Sequence, residues 1–399
     1  MEIPLNSSLT GIKVLDLSRV LAGPFCSMLL ADNGAEVIKI EQPGKGDDTR
    51  AFGPPFVKGE SAYFLSINRG KKSVTVDMKS ERGKEIIRRL AEKADVILEN
   101  FRPGVAEKLG FGYESVKAFN PRVVYASVSG FGATGPDRLK PGYDLMIQGM
   151  GGLMSITGPA GGTPCKVGAS ISDILAGIYA FQGILLALFH REKTGKGQRI
   201  DISMLDCVIS VLTHQAQNYF STGAAPTRRG NRHPTICPYE TFEASDGYVN
   251  ISVGNDKIWQ GFCDLIGKGE LKNDPRFQTN PKRVENHDAL FPILNDIIRR
   301  KTVAEWLKAL DEAEIPAGPI LTLDQVLSHP QVLAREMVVE VAHPSVGKLK
   351  LTGIPVKLSE SPGKIAGAPP LLGEHTAEVL SSLGYSSGEI DEMRKINAI

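Results

Sequence analysis

Asp173 is the residue of this 399-residue chain best suited to covalent chemistry. It opens a long apolar run. Ser172 and Asp173 stand where a helix takes its cap, and Ile174, Leu175, Ile178, Phe181, Leu185 and Leu188 follow at three-and-four spacing as the expected buried stripe. A carboxylate at a helix N-terminus feels the positive end of the dipole, which favours the ionised form and suits attack on a carbonyl better than proton donation. Taken alone, the same residues more often only cap a helix. A second constellation is basic: Arg19, Lys71, Lys72, Lys79, Arg102, Lys108 and Lys140 fall at or just beyond the ends of predicted strands. Cations along one rim of a parallel sheet could hold the phosphates of a nucleotide-like ligand, with about half of such positions expected to be plain solvated surface.

Other chemistries lack their residues. The seven histidines are scattered, with no HExxH, and the five cysteines form no CxxC pair, so no metal site is expected. An odd, sparse set of cysteines also argues against a disulfide framework and for a reducing, cytoplasmic setting. GASIS at 168–172 lacks the second glycine of a serine nucleophile elbow. The first turn, SRVLAGP, has no G-x-G-x-x-G, and KTGKGQ at 193–198 lacks phosphate-loop spacing, so a dinucleotide cofactor is disfavoured. Lys and Arg total 46 against 45 Asp and Glu, which gives no field for nucleic acid or a membrane surface. No export signal is expected from MEIPLNSSLTG, and the apolar run over 174–189 reads as too short and glycine-interrupted to cross a bilayer.

The elements that must position these residues alternate. Strands are expected at 12–17, 36–41, 73–78, 96–98, 123–127 and 199–203, with helices at 23–33 and 81–93 and a short helical stretch near Val105. Such alternation implies an α/β fold, a Rossmann-like parallel sheet with helices on both faces. Thr222 to Pro238 is rich in Gly, Pro, Arg and Thr and reads as a crossing arm. Beyond it, two short strands around Ser245–Gly247 and helices at 259–265, 287–301 and 303–313 imply a smaller α+β domain. The Pro- and Gly-rich tail over 354–373 leads to two more helices, from near Glu374 and Ser387.

Taken together, DLSRVLAGP at 16–24, GAEVIKIEQPGKGDDTR at 34–50, NRGKKSVTVDMK at 68–79, ENFRPGVAEKLGFGY at 99–113, SVSGFGATGP at 127–136, TGKGQRIDISMLD at 194–206, RGNRHP at 229–234 and LLGEHTAEVLSSLGY at 371–385 resemble the family III CoA-transferases over nearly the whole chain. The resemblance implies that Asp173 is the nucleophile of a CoA-transferase that passes through aspartyl anhydride and aspartyl-CoA thioester intermediates, with backbone N–H groups near the helix start facing the oxyanions and no prosthetic group. It places the coenzyme A site at Arg19, Leu21, Ala22, Gln42, Val76, Met78, Lys79, Asn100, Phe101, Arg102, Lys108 and Lys140. Gln42 departs from a basic residue common in the family, and Leu21 from the glutamine of formyl-CoA transferase. A tetraglycine loop of that enzyme is replaced by RGNRHP, so Arg232 and His233 are expected to favour an acid with a second carboxylate, and succinyl-CoA is the expected donor.

In racemases of the same family a histidine stands where Tyr143 does, in the triplet Gly142, Tyr143, Asp144; a phenol is a poor base, so transfer is expected over racemisation, with Tyr143 near the acyl group. A CoA-binding partner subunit without turnover is a third reading, opposed by the presence of Asp173. The resemblance also implies an interlocked, ring-like homodimer. Its domains would be a large CoA-binding part over 1–205, a linker over 206–230, the small domain over 231–325 and a return to the large domain over 326–399.

Overall fold

The computed structural model describes residues 7–399. The chain divides into two units; the first holds the residues up to Leu153, Val167–Gln217 and Pro330–Ile399, and the second holds Met154–Lys166 and Asn218–His329. In the first unit, the apolar β-branched runs become strands β1 (Lys13–Asp16), β2 (Glu36–Glu41), β3 (Lys71–Thr75), β4 (Val96–Glu99), β5 (Val124–Ser129) and β6 (Arg199–Ser203). All their pairings are parallel, in the order β3-β2-β1-β4-β5-β6. That is doubly wound order. The connections after β1 and β4 run to opposite sides, which opens a crevice outside the carboxyl ends of those strands.

Alternate residues of each strand feed different cores, as the two-residue repeat requires. Val14, Leu98 and Ala126 pack with helices α1 (Ala22–Asp32) and α6 (Ile171–Thr194). Leu15, Ile97 and Tyr125 face the other way, against α3 (Glu81–Lys93) and the C-terminal helices Thr376–Ser382 and Ser387–Lys395. Three further helices matter for the site: α2 (Ala62–Ile67), α4 (Val105–Leu109) and α5 (Asp144–Met150).

The long helix differs from its sequence reading in three ways. Its cap is Ser170, which puts Asp173 inside the first turn. Its buried stripe is Ala176, Gly177, Ala180, Ile184, Ala187 and Leu188, while Ile178 and Leu185 are exposed. A helix that is apolar all round has no large-residue face to mark its core side, and here the small residues mark it because α1 comes so close. A Cβ added at Gly177 would lie 2.8 Å from the Ala22 carbonyl oxygen. Finally, at 24 residues the helix is long and apolar enough to cross a bilayer by length and composition, contrary to the expectation that it is too short. In this fold its small-residue face is a core face.

Two other expectations are corrected. Helices Met204–Ser210 and Thr213–Thr222 occupy much of the supposed 206–230 linker. Strand β3 starts at Lys71, two residues before the predicted strand, so Lys71 and Lys72 stand at its amino end and not on the ligand-binding rim. Lys71 is buried within 3.6 Å of Asp16, and Lys72 pairs with Glu36 and Glu378.

The second unit carries a three-stranded antiparallel sheet in the order Ala317–Pro319, Tyr248–Ser252, Tyr239–Glu243. Helices Asp256–Leu265, His287–Ile298 and Val303–Glu312 cover it, with Trp259, Phe242, Phe262 and Trp306 in the core.

Candidate active site

A cavity of about 530 Å³ lies at the carboxyl ends of the first unit's strands. Each connection contributes to it. The loop after β1 supplies Arg19, Leu21 and Ala22, the loop after β2 supplies Gln42 and Asp47, and the residues after β3 supply Val76, Met78 and Lys79. The loop after β4 brings Asn100, Phe101 and Arg102. Lys140 and Tyr143 come from the segment before α5, and Asp173 from α6. The structure therefore gathers most of the sequence-nominated residues around one space. Lys108, like Lys71 and Lys72, does not line the cavity; it is exposed on α4.

The loop after β1 is held in a shape that it would not choose alone. Val20 has φ of 68°, a left-handed conformation that is strained for a β-branched side chain. Its N–H donates to Asp47 at 3.3 Å. Asp47 also pairs with the fully buried Lys39 at 2.8 Å, and Lys39 donates to the Ser18 carbonyl at 2.8 Å. Across the crevice, Asn100 accepts from the Arg19 N–H at 2.8 Å and donates back to the Arg19 carbonyl at 2.6 Å. Asn100 thus clamps the β1 loop to the β4 loop. Glu99, buried at the end of β4, accepts from the Phe101 N–H at 2.7 Å; burial pushes its carboxyl up to about 7.

Two glycines set the far wall. A Cβ at Gly130 would fall 2.7 Å from the Gly142 Cα, so the chain leaving β5 and the chain entering α5 cross with no room for a side chain. That crossing brings Tyr143 to the cavity wall, with Asp144 next along the chain. Tyr143 itself is 65% exposed.

Asp173 shares a helix face with Gly177, one turn on, and therefore faces the Leu21–Ala22 loop. Burial pushes its carboxyl up to about 7, and the charge of Asp144 adds to the effect. This reverses the expectation that the helix end keeps it fully ionised: desolvation outweighs the dipole here. Three backbone donors near the helix start already have partners. The Ile171 N–H bonds to the Ala169 carbonyl, Ser172 to Asp144 and Ile174 to the Ser170 carbonyl.

Four residues of this site escaped sequence reading. Tyr63 of α2 is raised to about 12 by burial and by Asp173, against a hydrogen bond with Ser170. Arg138 lines the cavity beside Lys140. Asp47 and Asp144 hold loops from a distance in sequence, and only the Gly142–Tyr143–Asp144 triplet offered a signal. Among the described residues Lys79, Arg102 and Arg138 have no acidic partner within ion-pairing distance, whereas Arg19 meets Asp48 and Lys140 meets Asp137. Three cations without acidic partners and an acid pushed toward neutrality suit an anionic thioester and acyl transfer. Arg232 and His233 belong to the second unit, where Arg232 donates to the Val284 carbonyl at 3.3 Å and lies 3.7 Å from Asp288.

Residues 9–376 match the model of CoA-transferase family III. The chain is 42% identical over 386 residues to the succinyl-CoA:glutarate CoA-transferase of Mus musculus, covering 96% of this chain and 88% of that protein. It is 44% identical over 364 residues to the acetyl-CoA:oxalate CoA-transferase of Acetobacter aceti, covering 90% and 92%. Among solved structures it is similar to a CAIB/BAIF family protein from Brucella suis, with 44% identity, a TM-score of 0.85 and coverage of 95% of this chain and 100% of that one.

Proposed function

From the premise that this chain belongs to CoA-transferase family III and is a CoA-transferase, we propose that it moves coenzyme A from succinyl-CoA to a dicarboxylic acid, with Asp173 as the covalent nucleophile. The observation that carries this reading is the convergence of Asp173, three cations without acidic partners and the clamped β1 and β4 loops on one cavity. The two relatives differ in donor, but both are named for a dicarboxylate acceptor, glutarate or oxalate. Incubating the purified chain with succinyl-CoA and glutarate should give glutaryl-CoA and succinate in equal amounts. Transfer to monocarboxylates alone would refute the acceptor class.

In this mechanism the ionised Asp173 attacks the thioester carbonyl, the C–S bond breaks, and an aspartyl anhydride and CoA thiolate form. The thiolate returns to the aspartyl carbonyl and releases succinate. The acceptor carboxylate attacks the resulting aspartyl-CoA thioester, and the thiolate then takes the acceptor acyl group and frees Asp173. Each step exchanges bonds of similar energy, and only the chain and its two substrates take part.

We assign Arg102, with Lys79, to the coenzyme phosphates and Arg232 to the acceptor's second carboxylate. Arg102→Ala should raise KM for succinyl-CoA roughly tenfold and leave KM for the acceptor unchanged. Arg232→Ala should do the reverse, for dicarboxylates only. If both variants keep wild-type constants, both assignments are wrong.

The uncovered face of α6 carries Leu186 and Phe189, each 62% exposed, with Ile178 and Leu185 of the same helix also exposed. Large apolar side chains in such a patch call for a cover, and we assign that cover to a second copy of the chain. Sedimentation of the purified protein should give twice the chain mass of 43.1 kDa; a monomer would contradict this. The five cysteines are unpaired, which favours a reducing cytoplasm.

A further inference from the structure

We infer that Asp144 is a positioning residue for acyl transfer: it locks the turn that carries Asp173 and keeps a fixed negative charge beside the nucleophile. The inference rests on the reading of Asp173 as that nucleophile. Asp144 opens α5, and both of its oxygens are engaged. Oδ1 accepts from the Ser172 N–H at 3.1 Å and the Ser172 hydroxyl at 2.8 Å. Oδ2 accepts from Gln148 Nε2 at 2.8 Å, and Gln148 Oε1 accepts from the Val167 N–H at 2.9 Å.

Ser172 and Gln148 are fully buried, so neither has solvent as an alternative partner. Because donors face both oxygens of residue 144, a protonated or neutral group there would lose a bond. The network thus demands a carboxylate that stays charged. It joins α5, the segment before α6 at Val167 and the first turn of α6. Asp173 is the next residue along that turn.

The chemical step gives this charge a use. As the bond forms between the Asp173 oxygen and the acyl carbon, the C–S bond breaks and its electron pair goes to sulfur. Negative charge leaves Asp173. A fixed negative charge beside it disfavours the starting carboxylate and not the neutral anhydride or thioester. After burial, Asp144 is the group that most raises the Asp173 carboxyl, and among the described residues no cation opposes it. Tyr63, which faces Asp173 from α2, is held neutral.

The test follows enzyme–CoA adduct formation on Asp173 from succinyl-CoA without acceptor, by rapid quench and intact mass, across about pH 5 to pH 9. In wild type the rate should rise with pH as Asp173 ionises. Asp144→Asn should move that rise to lower pH, by on the order of one unit, and slow the plateau rate. This variant also sets one amide N–H₂ against another at Gln148, so it loses stability. Combining Asp144→Asn with Gln148→Glu restores every bond, since the introduced carboxylate accepts from both the introduced amide and the Val167 N–H, and it moves the charge one side chain further from Asp173. The double variant should regain wild-type melting behaviour while its pH profile stays displaced. A profile unmoved in the single variant, or fully restored with stability in the double one, would leave Asp144 a purely structural bond. Absence of any adduct in wild type would instead overturn the nucleophile assignment, and this inference with it.

Discussion

Asp173→Asn should lower kcat by about 10,000-fold or more while raising stability at neutral and alkaline pH. The loss follows from removing a nucleophile through which every turnover passes; the remaining binding and positioning cannot replace a covalent path. The gain follows from linkage. The folded carboxyl titrates near 7, above its usual 3.8, so between those values the folded chain holds a proton that the unfolded chain has released. Unfolding then releases a proton, and wild-type stability falls with rising pH by up to about 1.4 kcal/mol per unit until Asp173 ionises in the folded state as well. The amide has no charge to bury. Denaturant melts of the two proteins should coincide below about pH 4, diverge up to about pH 7 and stay apart above it. A variant no more stable than wild type at pH 8 would mean that Asp173 is not desolvated as described.

Asp47→Ala should destabilise the first unit by about 3–5 kcal/mol, because it removes the direct ion-pair partner of the fully buried Lys39 ammonium and leaves only the more distant Asp16 and Glu41 to offset its charge. Removing both charges, as Lys39→Met with Asp47→Leu, should recover much of that loss. A functional effect accompanies it. Val20 holds a backbone conformation that costs about 1–3 kcal/mol, and Asp47 accepts its N–H. Without Asp47 the turn relaxes, Leu21 and Ala22 shift, and KM for acyl-CoA rises. The double replacement should therefore melt nearly as wild type yet keep the raised KM. The ion pair also has a pH signature. Lys39 holds the Asp47 carboxyl at about 2 despite burial, so its contribution is present above about 4 and is lost as pH falls through 2.

The sheet was legible because β4 and β5, buried almost throughout, read as short apolar runs, while β2 and β6 alternate apolar with polar residues and begin and end at the expected positions. The rim followed from the strand ends, but Lys71 and Lys72 precede the strand core and stand at the amino end of β3, so grouping them with the cations beyond the carboxyl ends was the error. Asp173 was visible as an acid before an apolar helix, and the family resemblance supplied its expected role. Its ionisation state was not legible. That depends on burial and on Asp144, 29 positions earlier, and no local pattern reports either. The α6 core face was misread for a related reason: hydrophobicity does not tell a face covered by α1 from one left open, whereas the Ala176, Gly177, Ala180 spacing does once a close neighbour is known. Asp144 stood in a triplet whose middle residue, Tyr143, drew the attention because a histidine there would signal racemisation. The bonds to Ser172 and Gln148 show its neighbour to be the better-anchored group.

In the proposed reaction an acyl group and then coenzyme A become covalently attached to one side chain, Asp173. The direct measurement is peptide-level mass spectrometry of the wild-type chain and Asp173→Ala after incubation with succinyl-CoA and trapping with borohydride or hydroxylamine. A mass change confined to the peptide that contains Asp173, and absent from the variant, is the expected result. An unmodified Asp173 in protein that is turning over succinyl-CoA, or the same adduct in the variant, would contradict it.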